Sequence, residues 1–205
     1  MMFGAAMIIG LVLAGAILLG LLWALASYNG LVAARAECAE AFAHVLLQLR
    51  LRNELLPALV ETARGHMRHE RETLEKVSAA VQEAAALGQA LSARPVEPAG
   101  MQKLQQAEAV VSGAMGRLLA IAEAYPELRS SPNMVRISEE LGVAENQVSR
   151  ARESYNGQVH RYNAMRATLP QTLLSKALGF GDTPFFETDR ESAPPQSPRM
   201  GPMLA

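Results

Sequence analysis

His66, His69 and Glu70 are the cluster in this chain whose residue types most invite a metal ion. Zinc sites of the His-Glu-x-x-His type set two imidazoles four apart on one helix face, with a glutamate between them as general base. Here the histidines are three apart and no glutamate lies between them. Arg64, Arg68 and Arg71 would also repel a cation, so the cluster reads as the solvated start of a helix. A second set is aromatic and amide. Tyr28-Asn29, Tyr155-Asn156 and Tyr162-Asn163 repeat the same pair. If a late helix returns antiparallel to an early one, these pairs meet in a polar–aromatic layer at one end of the molecule. Two alternatives are core packing with the hydroxyls reaching water, and a surface for a partner or a second copy. Nothing else points to catalysis. No glycine-rich loop follows a strand to cradle phosphate, and no Ser–His–Asp order marks a nucleophile. Glu70/Glu72 and Glu139/Glu140 read as charge on exposed helix faces. Cys38, the single cysteine, cannot form an intramolecular disulfide and reads as a small packing residue.

The elements that would position these groups are helices. Aromatic residues make up only 5% of the 205 residues, and Ala, Leu, Glu, Gln and Arg abound. No sustained β-branched alternation marks a strand. Lys+Arg total 19 and Asp+Glu 20, which leaves no basic field for nucleic acid.

From Met1 to Ala34 there is no Asp, Glu, Lys or Arg, and residues 7–27 are almost wholly apolar. A helix of about 20 such residues crosses the roughly 30 Å of hydrocarbon in a bilayer. Trp23 and Tyr28 stand where it would leave, a position aromatic rings favour. A cleaved signal peptide would carry a basic start and a shorter apolar core. The segment therefore reads as a retained transmembrane anchor. Residues 1–6 precede it. Arg35 follows the anchor and no basic residue precedes it, which favours the rest of the chain on the cytoplasmic side.

Beyond the anchor, apolar residues recur at alternating spacings of four and three, the period of long helices packed at a shallow angle. The first seam reads Tyr28, Val32, Ala39, Phe42, Leu46, Leu49 and Leu56, interrupted by Arg35 and Asn53. The anchor is expected to run into it without a break. Pro57 is expected to kink or restart this helix, with Gly65 capping its end. A second seam runs from Met67 to Leu91 and ends in a loop rich in breakers, Ala93–Pro98. A third runs from Met101 to Tyr125, interrupted by Glu108 and stopped by Pro126. Ser131-Pro132 opens the fourth, Met134, Ile137, Leu141, Ala144, Val148, Ala151, Tyr155, Val159, Tyr162, Met165 and Leu169, which Pro170 ends. The fold class expected is all-α: an N-terminal transmembrane helix (7–27) continuing into an antiparallel up-and-down four-helix bundle over 28–170. Residues 171–187, with Leu173, Leu174, Phe180, Phe185 and Phe186, would rest on the membrane surface or dock onto the bundle end. Residues 188–205 read as disordered tail.

Several blocks resemble the LemA family. Tyr28 to Val32 is similar to its Tyr-Asn-x-Leu-Val. Gln48 to Thr62, with Pro57, resembles its "QLKRRxDLIPNLVETVKGY" block, and His69 to Leu74 resembles "HEKETL". Ala120 to Leu128, with Tyr125, is similar to "AVAENYPDLKA". Glu139 to Arg150 and the paired Tyr155-Asn156 and Tyr162-Asn163 follow in order, and Phe180 and Phe185 to Glu187 resemble the closing "GF…YFE". The resemblance implies a bacterial single-pass inner-membrane protein with an antiparallel four-helix bundle and no established enzymatic activity. It gives His69 a structural role at a helix entrance. No cofactor is expected. The partners expected are the bilayer through 7–27 and either further copies of the chain or another membrane protein. The function expected is that of a scaffold acting through self-association or protein contacts. A regulator or adaptor of a membrane protease or sensor kinase is the alternative.

Overall fold

The computed structural model describes residues 2–67, 70–92 and 97–186. Among these residues there is no strand. Six helices follow in order: α1 (Met2–Arg64), α2 (Arg71–Ser92), α3 (Pro98–Ala122), the single turn α4 (Pro126–Arg129), α5 (Pro132–Ala167) and α6 (Gln171–Ala177). An extended strap, residues 180–186, follows α6. His69, part of the loop before α3, and residues 188–205 lie outside the described residues.

α1 begins apolar and exposed. Leu11, Leu13, Ile17, Leu18, Leu21 and Leu22 touch little of the rest of the chain, and their exposure continues to Leu25. It is a helix long and apolar enough to cross a membrane by length and composition. The same helix then enters the core with no break at Gly30.

It also passes Pro57 without restarting. A proline inside a helix removes one hydrogen bond and clashes with the carbonyl four residues back, at a cost of about 3 kcal/mol. Beyond it Leu59, Val60 and Ala63 are all buried. Burial of a Leu or Val side chain contributes about 1.5–3 kcal/mol, which offsets the loss. α1 ends at Arg64 in a turn where both His66 N–H and Met67 N–H donate to Ala63 O. Gly65 takes no left-handed conformation. Among the described residues the glycine with positive φ is Gly179 (73°).

α1 and α5 run antiparallel. Met165 Sδ lies 4.0 Å from the Cβ position of Gly30. Arg161 Nη1 meets Glu37 Oε2 at 3.6 Å, the rings of Phe42 and Tyr155 are 5.4 Å apart, and Arg52 Nη1 meets Glu145 Oε1 at 3.3 Å. α1 also packs on α2, and α2 on α3. α2 approaches α3 so closely that a Cβ on Gly100 would sit 2.6 Å from Leu91 Cδ2.

Two apolar clusters fill the interior. One, far from the apolar start of α1, joins Leu56, Leu59, Val77, Val111, Leu118, Ile137 and Leu141. The other, near the apolar start of α1, joins Leu31, Cys38, Phe42, Leu104, Val159 and Tyr162. The fourth seam holds almost throughout, with Met134, Ile137, Leu141, Val148, Ala151, Tyr155, Val159 and Tyr162 buried. Leu169 departs from it and is exposed. The first seam is displaced at its start: Leu31, Ala34, Cys38 and Val45 are buried, while Tyr28 and Val32 are exposed. From Val32 to Leu46 an apolar residue precedes each expected seam position, so spacing alone selects neither stripe.

Candidate functional site

α5 presents two Tyr-Asn pairs seven residues apart, and together they hold the strap. Asn156 Nδ2 donates to Phe186 O at 3.1 Å, and Phe186 N–H donates back to Asn156 Oδ1 at 2.8 Å. Asn163 repeats this on Thr183, with Nδ2 to Thr183 O at 2.9 Å and Thr183 N–H to Asn163 Oδ1 at 3.1 Å. Each carboxamide thus pairs with both backbone groups of one residue, as a neighbouring strand would. The tyrosines fill the steps between. Tyr155 Oη donates to Pro184 O at 2.8 Å, and Tyr162 Oη to Gly181 O at 3.0 Å.

The spacing follows from two rises. Seven residues of α-helix advance about 10.5 Å, and three residues of extended chain advance about 10 Å. Asn156 to Asn163 therefore spans the same length as Phe186 to Thr183, and the strap runs antiparallel to α5. Gly179 starts it. Its left-handed backbone lets Phe180 N–H reach back to Ser175 O at 2.9 Å, closing α6 in a Schellman turn. The side chains of Phe180 and Phe186 then enter the cluster near the apolar start of α1. Phe186 lies 6.3 Å from the Phe42 ring, and the Arg152 guanidinium sits 4.9 Å over its face. Gln105 Nε2 of α3 donates to Phe185 O at 3.0 Å. Arg166 pairs with Asp182.

Burial governs the titratable groups here. It pushes the Tyr155 hydroxyl well above its ordinary range, with a smaller contribution from Cys38. It also raises Tyr162, against an opposing pull from Arg35 and Arg166. The Cys38 thiol is raised by burial and then by Glu37. These groups are held neutral, and the tyrosines act as hydrogen-bond donors.

A polar layer lies between the two apolar clusters. Arg52 has no solvent exposure and Glu108 only 2%. Arg52 Nη2 donates to Glu108 Oε2 and, at 2.8 Å, to Asn53 Oδ1. Its Nη1 reaches Glu145 Oε1 at 3.3 Å. One arginine from α1 so ties α1 to α3 and α5. Glu108 Oε1 is buried with no hydrogen-bond partner among the described residues.

The sequence candidates fall into three groups. Tyr155, Asn156, Tyr162 and Asn163 come together on the strap, and their polar groups face backbone rather than water or one another. Tyr28 stands at the edge of this site. It meets Phe180 edge-on at 5.9 Å and borders an open depression of about 510 Å³ with Val32, Arg35 and Leu178. Asn29 is exposed and contributes none of the strap's described hydrogen bonds. The three-pair layer is thereby corrected to a two-pair ladder, because Asn29 faces solvent from α1. Pro57 and Tyr125 lie elsewhere. Pro57 is exposed on α1, and Tyr125 is half-buried where α3 turns into α4. His66 is exposed on the closing turn of α1, and His69 is outside the described residues. The described residues hold no group of three metal-ligating side chains. Arg52 was missed by sequence reasoning, although Asn53 and Glu108, which flank it in the structure, already stood out as polar breaks in two apolar seams.

No curated protein matches the chain. A family model described as LemA family matches residues 41–200, which is well over half of the chain, and the protein belongs to the LemA family.

Proposed function

We propose that this protein is a membrane-anchored scaffold. Residues 7–27 cross a bacterial inner membrane once. α1, α2, α3 and α5 form an antiparallel up-and-down four-helix bundle on its cytoplasmic side. The bundle works by self-association or protein–protein contacts on one of its faces and carries out no catalysis.

One observation carries the reading: the exposed apolar start of α1 runs without interruption into the buried core. A helix apolar on all sides and in contact with nothing is unstable in water and at home in lipid. The polar groups that might have served chemistry are engaged in holding structure. Arg52 joins three helices, and the Tyr-Asn pairs hold the strap. The near balance of 19 basic and 20 acidic residues argues against nucleic acid. Arg35 after the anchor, with no basic residue before it, argues for the cytoplasmic side.

Cross-linking in native membranes, followed by mass spectrometry, tests the role. Links between copies of this chain are the expected result. Reproducible links to one unrelated membrane protein would replace the scaffold with an adaptor. A C-terminal reporter active only outside the cytoplasm should stay silent, and a strong signal would reverse the topology.

A further inference from the structure

We propose that α6 is a second membrane contact, a short interfacial helix lying against the bilayer surface beside the point where α1 emerges. The inference rests on residues 7–27 being the anchor.

Register places α6 there. Met165 of α5 is level with Gly30 of α1. α5 ends at Ala167, two residues further on and about 3 Å nearer the anchor at the helical rise, level with Tyr28 at the end of the apolar span, and Leu169 lies in the turn that follows. From there α6 folds back against both α5 and α1. Thr172 Oγ1 and Ser175 Oγ donate to Arg166 O, which fixes the helix on its inner side. Its outer side is bare and carries Leu173 and Ala177 beside Lys176. Leu169 is 78% exposed and Leu173 68%, as much as the leucines of the anchor itself. Leu178 is exposed beside them and borders the depression shared with Tyr28 and Val32.

Elsewhere on the helices beyond the anchor, the exposed large apolar residues are one pair, Leu47 and Leu51 on α1, and single residues at Val110, Val135 and Val143. Here they gather and continue the apolar surface of α1. The exposed Lys176, and Arg35 in the adjoining depression, supply cations at headgroup level. Apolar side chains below and cations above match the boundary between acyl chains and anionic headgroups. The occupant is therefore the bilayer that holds the anchor.

Fluorescence quenching by lipids brominated on their acyl chains tests this in the full chain, reconstituted in phosphatidylcholine–phosphatidylglycerol vesicles. Trp23 is the only tryptophan and reports on the anchor. In a Trp23→Phe background, Leu173→Trp and Leu178→Trp report on α6, and Val135→Trp reports on the far end. Both α6 reporters should lose about twofold in emission, as suits rings about 5–10 Å into the interface. The Val135→Trp emission should not change. If Trp23 is quenched while both α6 reporters are not, α6 does not touch lipid and the proposal fails alone. If Trp23 is also unquenched, the anchor reading fails and the proposal falls with it. If the α6 reporters are unquenched and Leu173→Cys, in a Cys38→Ala background, instead cross-links between copies, the patch is a self-association face.

Discussion

Arg52 of α1 donates to Glu108 of α3 across an interior that neither side chain leaves. Removing one member of such a pair strands a buried charge at a cost of about 3–5 kcal/mol, whereas replacing the set with apolar residues is often neutral or stabilising. Arg52→Ala and Glu108→Ala should each destabilise the fold by about that amount. A triple variant, Arg52→Met, Glu108→Leu and Glu145→Leu, should recover most of it. Chemical unfolding in detergent, followed by circular dichroism, measures this. Single variants that unfold like the wild type would mean the layer contributes little.

Strap attachment is separable from bundle stability. Asn156→Leu and Asn163→Leu each remove two hydrogen bonds, worth together about 1–3 kcal/mol. The strap should then become a site of limited proteolysis near residues 180–186 while helix content is unchanged. Equal resistance in wild type and variants would show that Phe180 and Phe186 hold the strap unaided.

Alkaline pH should loosen the same region. Cys38, Tyr155 and Tyr162 titrate higher in the folded chain than their ordinary values of 9.0, 10.0 and 10.0. Their contribution is complete below those values. Above them the unfolded chain releases protons that the folded chain retains, so stability falls as pH rises. Thermal unfolding between pH 7 and 11 should show a decline setting in at about pH 9. Tyr155→Phe should be less stable at pH 7 by about 1–2 kcal/mol, because Pro184 O loses its donor, yet decline less steeply above pH 10.0. A variant with the same slope as the wild type would place the alkaline sensitivity elsewhere.

Pro57 sits exposed in the middle of a continuous helix. Pro57→Ala restores an amide donor and removes a clash without opening a cavity. It should stabilise the chain by about 1–3 kcal/mol. Loss of stability would show that the bend the proline imposes is used in packing.

How much of this was legible in the sequence depends on the element. The α5 seam could be followed almost residue by residue because most positions from Met134 to Tyr162 offered one apolar choice, with Val135 beside Met134 and Val143 beside Ala144 the exceptions. At the start of α1, Leu31 and Val32, or Cys38 and Ala39, compete for the same face, and only packing decides between them. The Tyr-Asn pairs stood out as a repeat, but their partners did not. Backbone carbonyls 19 to 30 residues away carry no signature of their own. Arg52 was hidden for a different reason. An arginine beside an asparagine reads as surface until a carboxylate on another helix, Glu108, is known to face it.

α1 has 63 residues and measures roughly 95 Å as one rod. With its apolar end set in a bilayer, the stretch from Tyr28 to Arg64 stands about 55 Å above the lipid. No joint separates the two parts. For the scaffold proposed above, the continuous helix would link the bilayer end to the distal turn, with Pro57 the one point between Tyr28 and Arg64 where a helix hydrogen bond is missing.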